Sequence, residues 1–174
     1  DVAIDEPLYH LLTKSASGAG LFGHTLVVAE AGSQLTLVEV GTSDSGSATE
    51  ESLVQRTIEV VAGDGSHLDV TQLNRWGDDV VAFSSAGGKL GRGAQSTWGS
   101  AVFGGRLHKE QIDFEIGPDN SHLDILAVFV GTDSQHIEHI TQQLHNSAGS
   151  SSELIIKGAL DGDSKAVQYG TIHI

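Results

Sequence analysis

At 174 residues the chain is long enough to bury one continuous core. It has no cysteine, which excludes disulfides, thiolate metal sites and cysteine nucleophiles. A formal net charge of -14, from 23 acids against 9 bases, repels phosphate backbones and argues against a nucleic-acid partner. No run of roughly eighteen apolar residues could form a membrane-spanning helix, and no charged-then-apolar leader opens the chain, so no membrane partner is expected. A chain that starts on Asp1 is expected to be an internal piece of a longer protein.

In chain order, the first distinctive stretch is Gly18-Ala19-Gly20-Leu21-Phe22-Gly23, which matches the dinucleotide-binding fingerprint letter for letter. That fingerprint needs a helix after it to meet the pyrophosphate, and here a strand pattern follows, so a glycine-rich loop is the better account. Strands are predicted over 24–29 and 34–40. The segment 40–52 is rich in Gly, Ser, Thr, Asp and Glu and reads as a mobile surface loop insertion. Further strands are predicted over 57–61, 67–73, 79–84, 95–103, 111–116, 122–130, 135–141, 153–157, 165–168 and 171–174. Gly, Asp, Asn and Ser fill the turns between them, and no segment has a helical period with caps.

One pattern recurs, a small-residue turn followed by an alternating run. It appears at Gly32-Ser33-Gln34-Leu35-Thr36-Leu37, Gly65-Ser66-His67-Leu68-Asp69-Val70, Gly93-Ala94-Gln95-Ser96-Thr97-Trp98, Asn120-Ser121-His122-Leu123-Asp124-Ile125 and Ser152-Glu153-Leu154-Ile155-Ile156. Counted from Ser33, Ser66, Ser121 and Ser152 the steps are 33, 55 and 31 residues, and the copy at Ala94 divides the long step nearly in half. Strand-and-turn units at such a period define a solenoid. The strands fall into two alternating families, one before and one after each repeated turn, so each pair makes one coil and the coils stack in parallel. Residues 1–174 are therefore expected to form a single all-β, β-helix core domain. In a strand, Leu35/Leu37, Leu68/Val70 and Leu123/Ile125 share one face, predicted inward, while His67/Asp69 and His122/Asp124 share the other.

Several groups have chemical potential. His67 with Asp69 and His122 with Asp124 could be acid-base dyads, but a catalytic pair is needed once, and their repetition at equivalent turns suits a solvated ladder. His136, His139 and His145 are weak metal candidates: His139 and His145 share a parity while His136 points away, so the three cannot converge from one straight strand. Gly63-Asp64-Gly65-Ser66, Gly117-Pro118-Asp119-Asn120 and Asp161-Gly162-Asp163 are similar to calcium-roll turns, yet they stand about thirty residues apart, where rolls repeat contiguously. Gln72, Asn74, Arg75 and Trp76 form a polar-aromatic break, either a corner covered by Trp76 or a partner contact. Gly-x-Ser-x-Gly, P-loop and His-Glu-x-x-His motifs are absent.

The run His24-Thr25-Leu26-Val27-Val28-Ala29-Glu30-Ala31-Gly32-Ser33-Gln34-Leu35-Thr36-Leu37-Val38-Glu39 resembles the core of the SufB/SufD family of iron-sulfur cluster assembly proteins. Gln135-His136 leading to Thr141, then His145, Ser152, Lys157-Gly158-Ala159-Leu160-Asp161-Gly162 and Tyr169-Gly170-Thr171-Ile172-His173-Ile174 follow that family's order. The resemblance implies a right-handed parallel β-helix acting as a non-catalytic scaffold in the cytoplasm, with no tightly bound cofactor and a transient iron-sulfur cluster on the assembled complex. It implies a SufB-like partner and, through a C-terminal helical region absent here, a SufC-like ATPase; a homodimer is the other arrangement it allows. The lack of cysteine makes the chain SufD-like, although Gln72-Leu73-Asn74-Arg75-Trp76 is similar to a stretch of SufB. The edge strand carrying Tyr169, Gly170, Thr171, Ile172, His173 and Ile174 is the expected interface, because an edge leaves backbone groups unpaired. Two rivals stand beside this reading: a carbohydrate-active β-helix enzyme, disfavoured by only nine scattered aromatics, and a calcium-dependent secreted β-roll module.

Overall fold

The computed structural model describes residues 3–43 and 50–174. Twelve strands follow one another: β1 (Leu8–Lys14), β2 (Gly20–Ala29), β3 (Gln34–Ser43), β4 (Ser52–Ala62), β5 (His67–Arg75), β6 (Val80–Leu90), β7 (Gln95–Val102), β8 (Leu107–Ile116), β9 (His122–Gly131), β10 (His136–His145), β11 (Ser151–Leu160) and β12 (Lys165–His173). Odd strands form one sheet in the order β1-β3-β5-β7-β9-β11, and even strands form the other. All named pairings are parallel. The architecture is thus a β-solenoid of about six coils, and the two strand families of the sequence are its two sheets.

The repeated turn has a local cause. Gly32, Gly65, Gly93 and Gly149 have φ of 67°, 65°, 63° and 79°, and Asn120, at 68°, takes the same place in the remaining turn. This left-handed conformation suits glycine and is tolerated by asparagine. The second residue after it starts the ladder: the His67 amide donates to the Ser33 carbonyl, Gln95 to Ser66, His122 to Ala94 and Ser151 to Ser121.

The register pairs Leu35 with Leu68, Leu68 with Ser96, Ser96 with Leu123 and Leu123 with Ser152. The residue equivalent to Ser121 in the last copy is therefore Ser150, two before the Ser152 used to count the repeat. A shift of two preserves parity, so the assignment of faces survives it. Leu68 and Leu123 are fully buried and Leu37, Val70 and Ile125 nearly so, whereas the His67 side chain is 54% exposed. Each inward aliphatic contributes about 1.5–3 kcal/mol.

Three expectations need adjusting. Strand β1 was not predicted. Residues 40–43, expected in the loop, complete β3, and Ser52 opens β4; positions 44–49 of that insertion lie outside the described residues. Segments 165–168 and 171–174 are a single strand broken only on paper, because Gly170 pairs with Thr141 without interrupting the ladder.

The inside of the solenoid is not uniformly apolar. A large apolar cluster next to the repeated turns includes Val60, Leu68, Leu90, Trp98, Phe114 and Ile125. A smaller one at the opposite corner joins Val54, Trp76, Val80 and Ala82. Between them runs a buried polar seam.

Candidate functional site

Two features of this frame are candidates for function: the last described coil, and the seam.

Among the described residues, β12 pairs with β10 and β11 with β9, and each has one edge without a described neighbour. Inward residues of this coil consequently lack a neighbour on one side. Leu154 and Ile156 are half-buried, whereas their register partners Ile125 and Ala127 are 0% and 6% exposed. Ile172 is 56% exposed; its register partner Gln143 is buried. The expected interface residues all lie here: Tyr169, Gly170, Thr171, Ile172 and His173 in β12, with Ile174 just past it. Gly170 and Ile172 continue the inward rows over Thr141 and Gln143, while Tyr169 and His173 continue the outer rows over Ile140 and Leu144. Tyr169 is exposed, as are Leu160 and Val167 nearby.

The opposite end is also an edge, which the sequence reading missed along with β1. Leu8, Tyr9, Leu11, Phe22, Leu26 and Val28 are exposed there. A shallow apolar depression of about 560 Å³ lies between β1 and β2, lined in part by Leu8, Thr25, Val27 and Leu35.

The seam begins at Glu39 on β3, whose side chain is wholly buried. Its Oε1 pairs with Arg56 Nη1 at 2.8 Å and accepts from Gln72 Nε2 at 3.0 Å; its Oε2 accepts from Thr25 Oγ1 at 3.3 Å and lies 2.9 Å from His10 Nδ1. Arg56 donates through Nη2 to Asn74 Oδ1, and its guanidinium lies 6.0 Å from the Trp76 ring. Burial lowers the Arg56 pKa while the Glu39 and Glu110 charges oppose that shift. On β8 and β10, Glu110 accepts from Ser100 Oγ at 2.6 Å and lies 3.3 Å from His139 Nε2. Burial works against the Glu110 charge, yet the contacts with His139, His108 and Ser100 hold its pKa below the usual carboxylate range. His108 is fully buried and driven down to about 4 by burial, with Glu110 opposing. At the other corner Lys14, also buried, donates to Asp79 and to Ser52. Burial favours the neutral form of Asp79, but its bonds with Lys14 and Ser52 keep its pKa low.

The sequence candidates separate accordingly. His136 faces outward and pairs with Glu138 at 2.9 Å; His139 is inside; His145 contacts Ser150 and Ser152 Oγ at 2.8 and 2.9 Å. The structure does not bring the three together, and among the described residues no group of three metal-ligating side chains is placed to hold an ion. His67–Asp69 and His122–Asp124 form outward pairs at 3.3 and 3.0 Å, repeated two coils apart. Trp76 is 3% exposed and covers a corner, which removes it as a partner anchor. Gly20 to Gly23 lie within β2, with no helix after them to receive a phosphate. The glycine-aspartate turns serve as turns: Asp64 Oδ1 accepts from the Arg92 amide at 2.9 Å. The signal that could have found the seam was parity, since Glu39 shares the face of Leu37, and Gln72 and Asn74 that of Val70.

Two parallel sheets joined by a repeated left-handed turn define a protein of stacked coils, a β-solenoid. The match to known families is specific. The profile described as SUF system FeS cluster assembly, SufBD core domain, covers residues 11–174, and the chain belongs to that family. An iron-sulfur cluster assembly SufBD family protein of Mycobacterium leprae is 25% identical over 164 residues, 94% of this chain and 40% of the relative. A second protein of that name from the same organism is 20% identical over 173 residues, 99% of this chain and 20% of its own length. One from Staphylococcus epidermidis is 19% identical over 173 residues, 99% of this chain and 37% of its own. The chain thus spans two fifths or less of these relatives.

Proposed function

We propose that this chain is the SufD-like core of a non-catalytic scaffold in iron-sulfur cluster assembly, acting in the cytoplasm by association through its last coil. The cluster is cargo on the assembled complex; no cofactor is tightly bound by this core. In the longer natural protein a SufB-like partner continues the sheets beyond β11 and β12, a second copy being the symmetric alternative, and a SufC-like ATPase binds outside the core.

The observation that carries this reading is the SufBD core match over residues 11–174; among the described residues, the inner row of the last coil, Leu154, Ile156 and Ile172, is uncovered beside two strand edges. A partner strand laid along β12 would satisfy its free backbone groups and cover that row at once. Family membership supports the cluster-assembly setting. The test is deletion of residues 169–174 in the longer natural chain, followed by sedimentation with and without the SufB-like partner. The deletion is expected to abolish association while leaving the far-ultraviolet strand signal in place. An unchanged oligomer would place the contact elsewhere.

A further inference from the structure

The sequence has two Asp-Gly steps, Asp64-Gly65 and Asp161-Gly162. Both lie in exposed turns, and Gly65 and Gly162 share one left-handed conformation, with φ of 65° and 66°. Glycine has no Cβ to shield its amide nitrogen, so an aspartate before it is open to attack by that nitrogen on its own side chain. Sequence, exposure and glycine conformation do not distinguish the two steps. Hydrogen bonding does.

At the first step the next coil holds both reacting groups. The Gly65 amide donates to the Arg92 carbonyl at 2.8 Å, and Asp64 Oδ1 accepts from the Arg92 amide at 2.9 Å. Nitrogen and carboxyl are each committed to a backbone group of one neighbouring residue. At the second step the Gly162 amide donates to Oδ1 of Asp161 itself, at 2.9 Å. The bond is closed within the pair that would react, and it holds the nitrogen beside the carboxyl carbon. The surrounding turn keeps the pair in place. The Asp161 amide donates to the Gly131 carbonyl at 2.9 Å, Asp163 to Asp133 at 2.7 Å and Lys165 to Gln135 at 2.8 Å.

We propose that Asp161 is a site of spontaneous isoaspartate formation through a cyclic imide, and that the Arg92 backbone protects Asp64 from the same reaction. The Gly162 nitrogen bonds to Asp161 Cγ. The bond from Cγ to one carboxyl oxygen breaks, and that oxygen leaves as water with the amide proton and one proton from solvent. Water then opens the ring. Addition at the side-chain carbonyl restores aspartate, whereas addition at the main-chain carbonyl leaves a backbone that runs through Cβ and Cγ and is one atom longer. The sum is an isomerisation that consumes nothing. The former main-chain carbonyl, which accepts from Ser164 Oγ at 2.8 Å, becomes a carboxylate off the chain. The change falls at the entrance to β12 and bears on the edge proposed for association, but it is read on the chain alone and does not rest on that role.

The experiment ages the longer natural chain, without a partner, at neutral pH and body temperature, both folded and in guanidinium. Isoaspartate is then mapped peptide by peptide with electron-transfer fragmentation. In the folded protein isoaspartate at position 161 should exceed that at 64 by about tenfold or more. In guanidinium, where Arg92 no longer holds Asp64, the two should agree within about twofold. Asp161→Glu, whose imide would need a larger ring, should abolish the signal at 161 and leave that at 64 unchanged. Equal conversion of the two positions in the folded protein overturns the proposal. So does a preference for 161 that guanidinium leaves undiminished, since its cause would then be local sequence. A folded protein that stays unmodified at 161 while the unfolded chain converts there overturns it as well.

Discussion

The sharpest consequence of the seam is a dependence of stability on acid that belongs to one residue. His108 lies between Ala82 on β6 and Ile137 on β10, and neither of its ring nitrogens has a hydrogen-bond partner among the described residues. Its pKa is about 4 in the folded protein against 6.5 for the free side chain. Between these values the unfolded chain binds a proton that the folded chain refuses, so stability rises with pH. The contribution is complete above pH 6.5, is lost as pH falls towards 4, and does not change further below that. A gap of about 2.5 units at about 1.36 kcal/mol each corresponds to roughly 3 kcal/mol. His108→Leu removes the titrating group and places an aliphatic side chain in a row already formed by Val54, Ala82 and Ile137. Urea unfolding of both proteins from about pH 7.5 to about pH 4 should show wild type losing roughly 3 kcal/mol more than the variant. Asp79, whose pKa is lowered by its bonds with Lys14 and Ser52, adds an acid-side loss that cancels in the difference, whereas Glu110, held down in part by His108 itself, cancels only in part. Equal slopes in the two proteins would mean that His108 is hydrated or charged inside the solenoid, and the reasoning from burial would fail.

Leu68→Asp or Leu123→Asp should unfold the domain, because each places a charge at a position with no exposure, whereas His67→Ser should leave the melting temperature nearly unchanged. Comparable losses at positions 67 and 68 in thermal melts would invert the faces. Arg56→Met should cost about 3–5 kcal/mol by stranding Glu39, and adding Glu39→Leu should recover part of that loss, giving a favourable coupling in a double-mutant cycle. Additive losses would show that Arg56 acts through its packing on Trp76 instead.

The central coils were legible because burial there follows parity. Leu35, Leu68 and Leu123 announce an inward row by alternation alone, and the left-handed residue before each copy is spelled Gly or Asn. Strand β1 was not legible: in Leu8-Tyr9-His10-Leu11-Leu12-Thr13-Lys14 apolar residues occupy both parities, and its inward lysine finds a partner, Asp79, 65 positions away. The same long-range pairing hid the seam. Glu39, Arg56 and Glu110 look like solvent residues singly, and only the stacking of β3, β4 and β8 inside one tube makes them each other's environment. The histidines were readable to the extent that parity separates His136 from His139, but the Glu110 beside His139 comes from the preceding coil of the same sheet.

How deeply the last described coil buries its inward row could not be read, and the reason is physical. A coil does not bury its own inward row; the coils on either side do. Leu154 and Ile125 are equivalent in sequence pattern and direct partners in register, yet one is half-buried and the other is not exposed at all. The difference lies in whether a further described coil lies over the row, which no local pattern encodes. An inward row is therefore buried only where a further coil lies over it, whatever the sequence of that row.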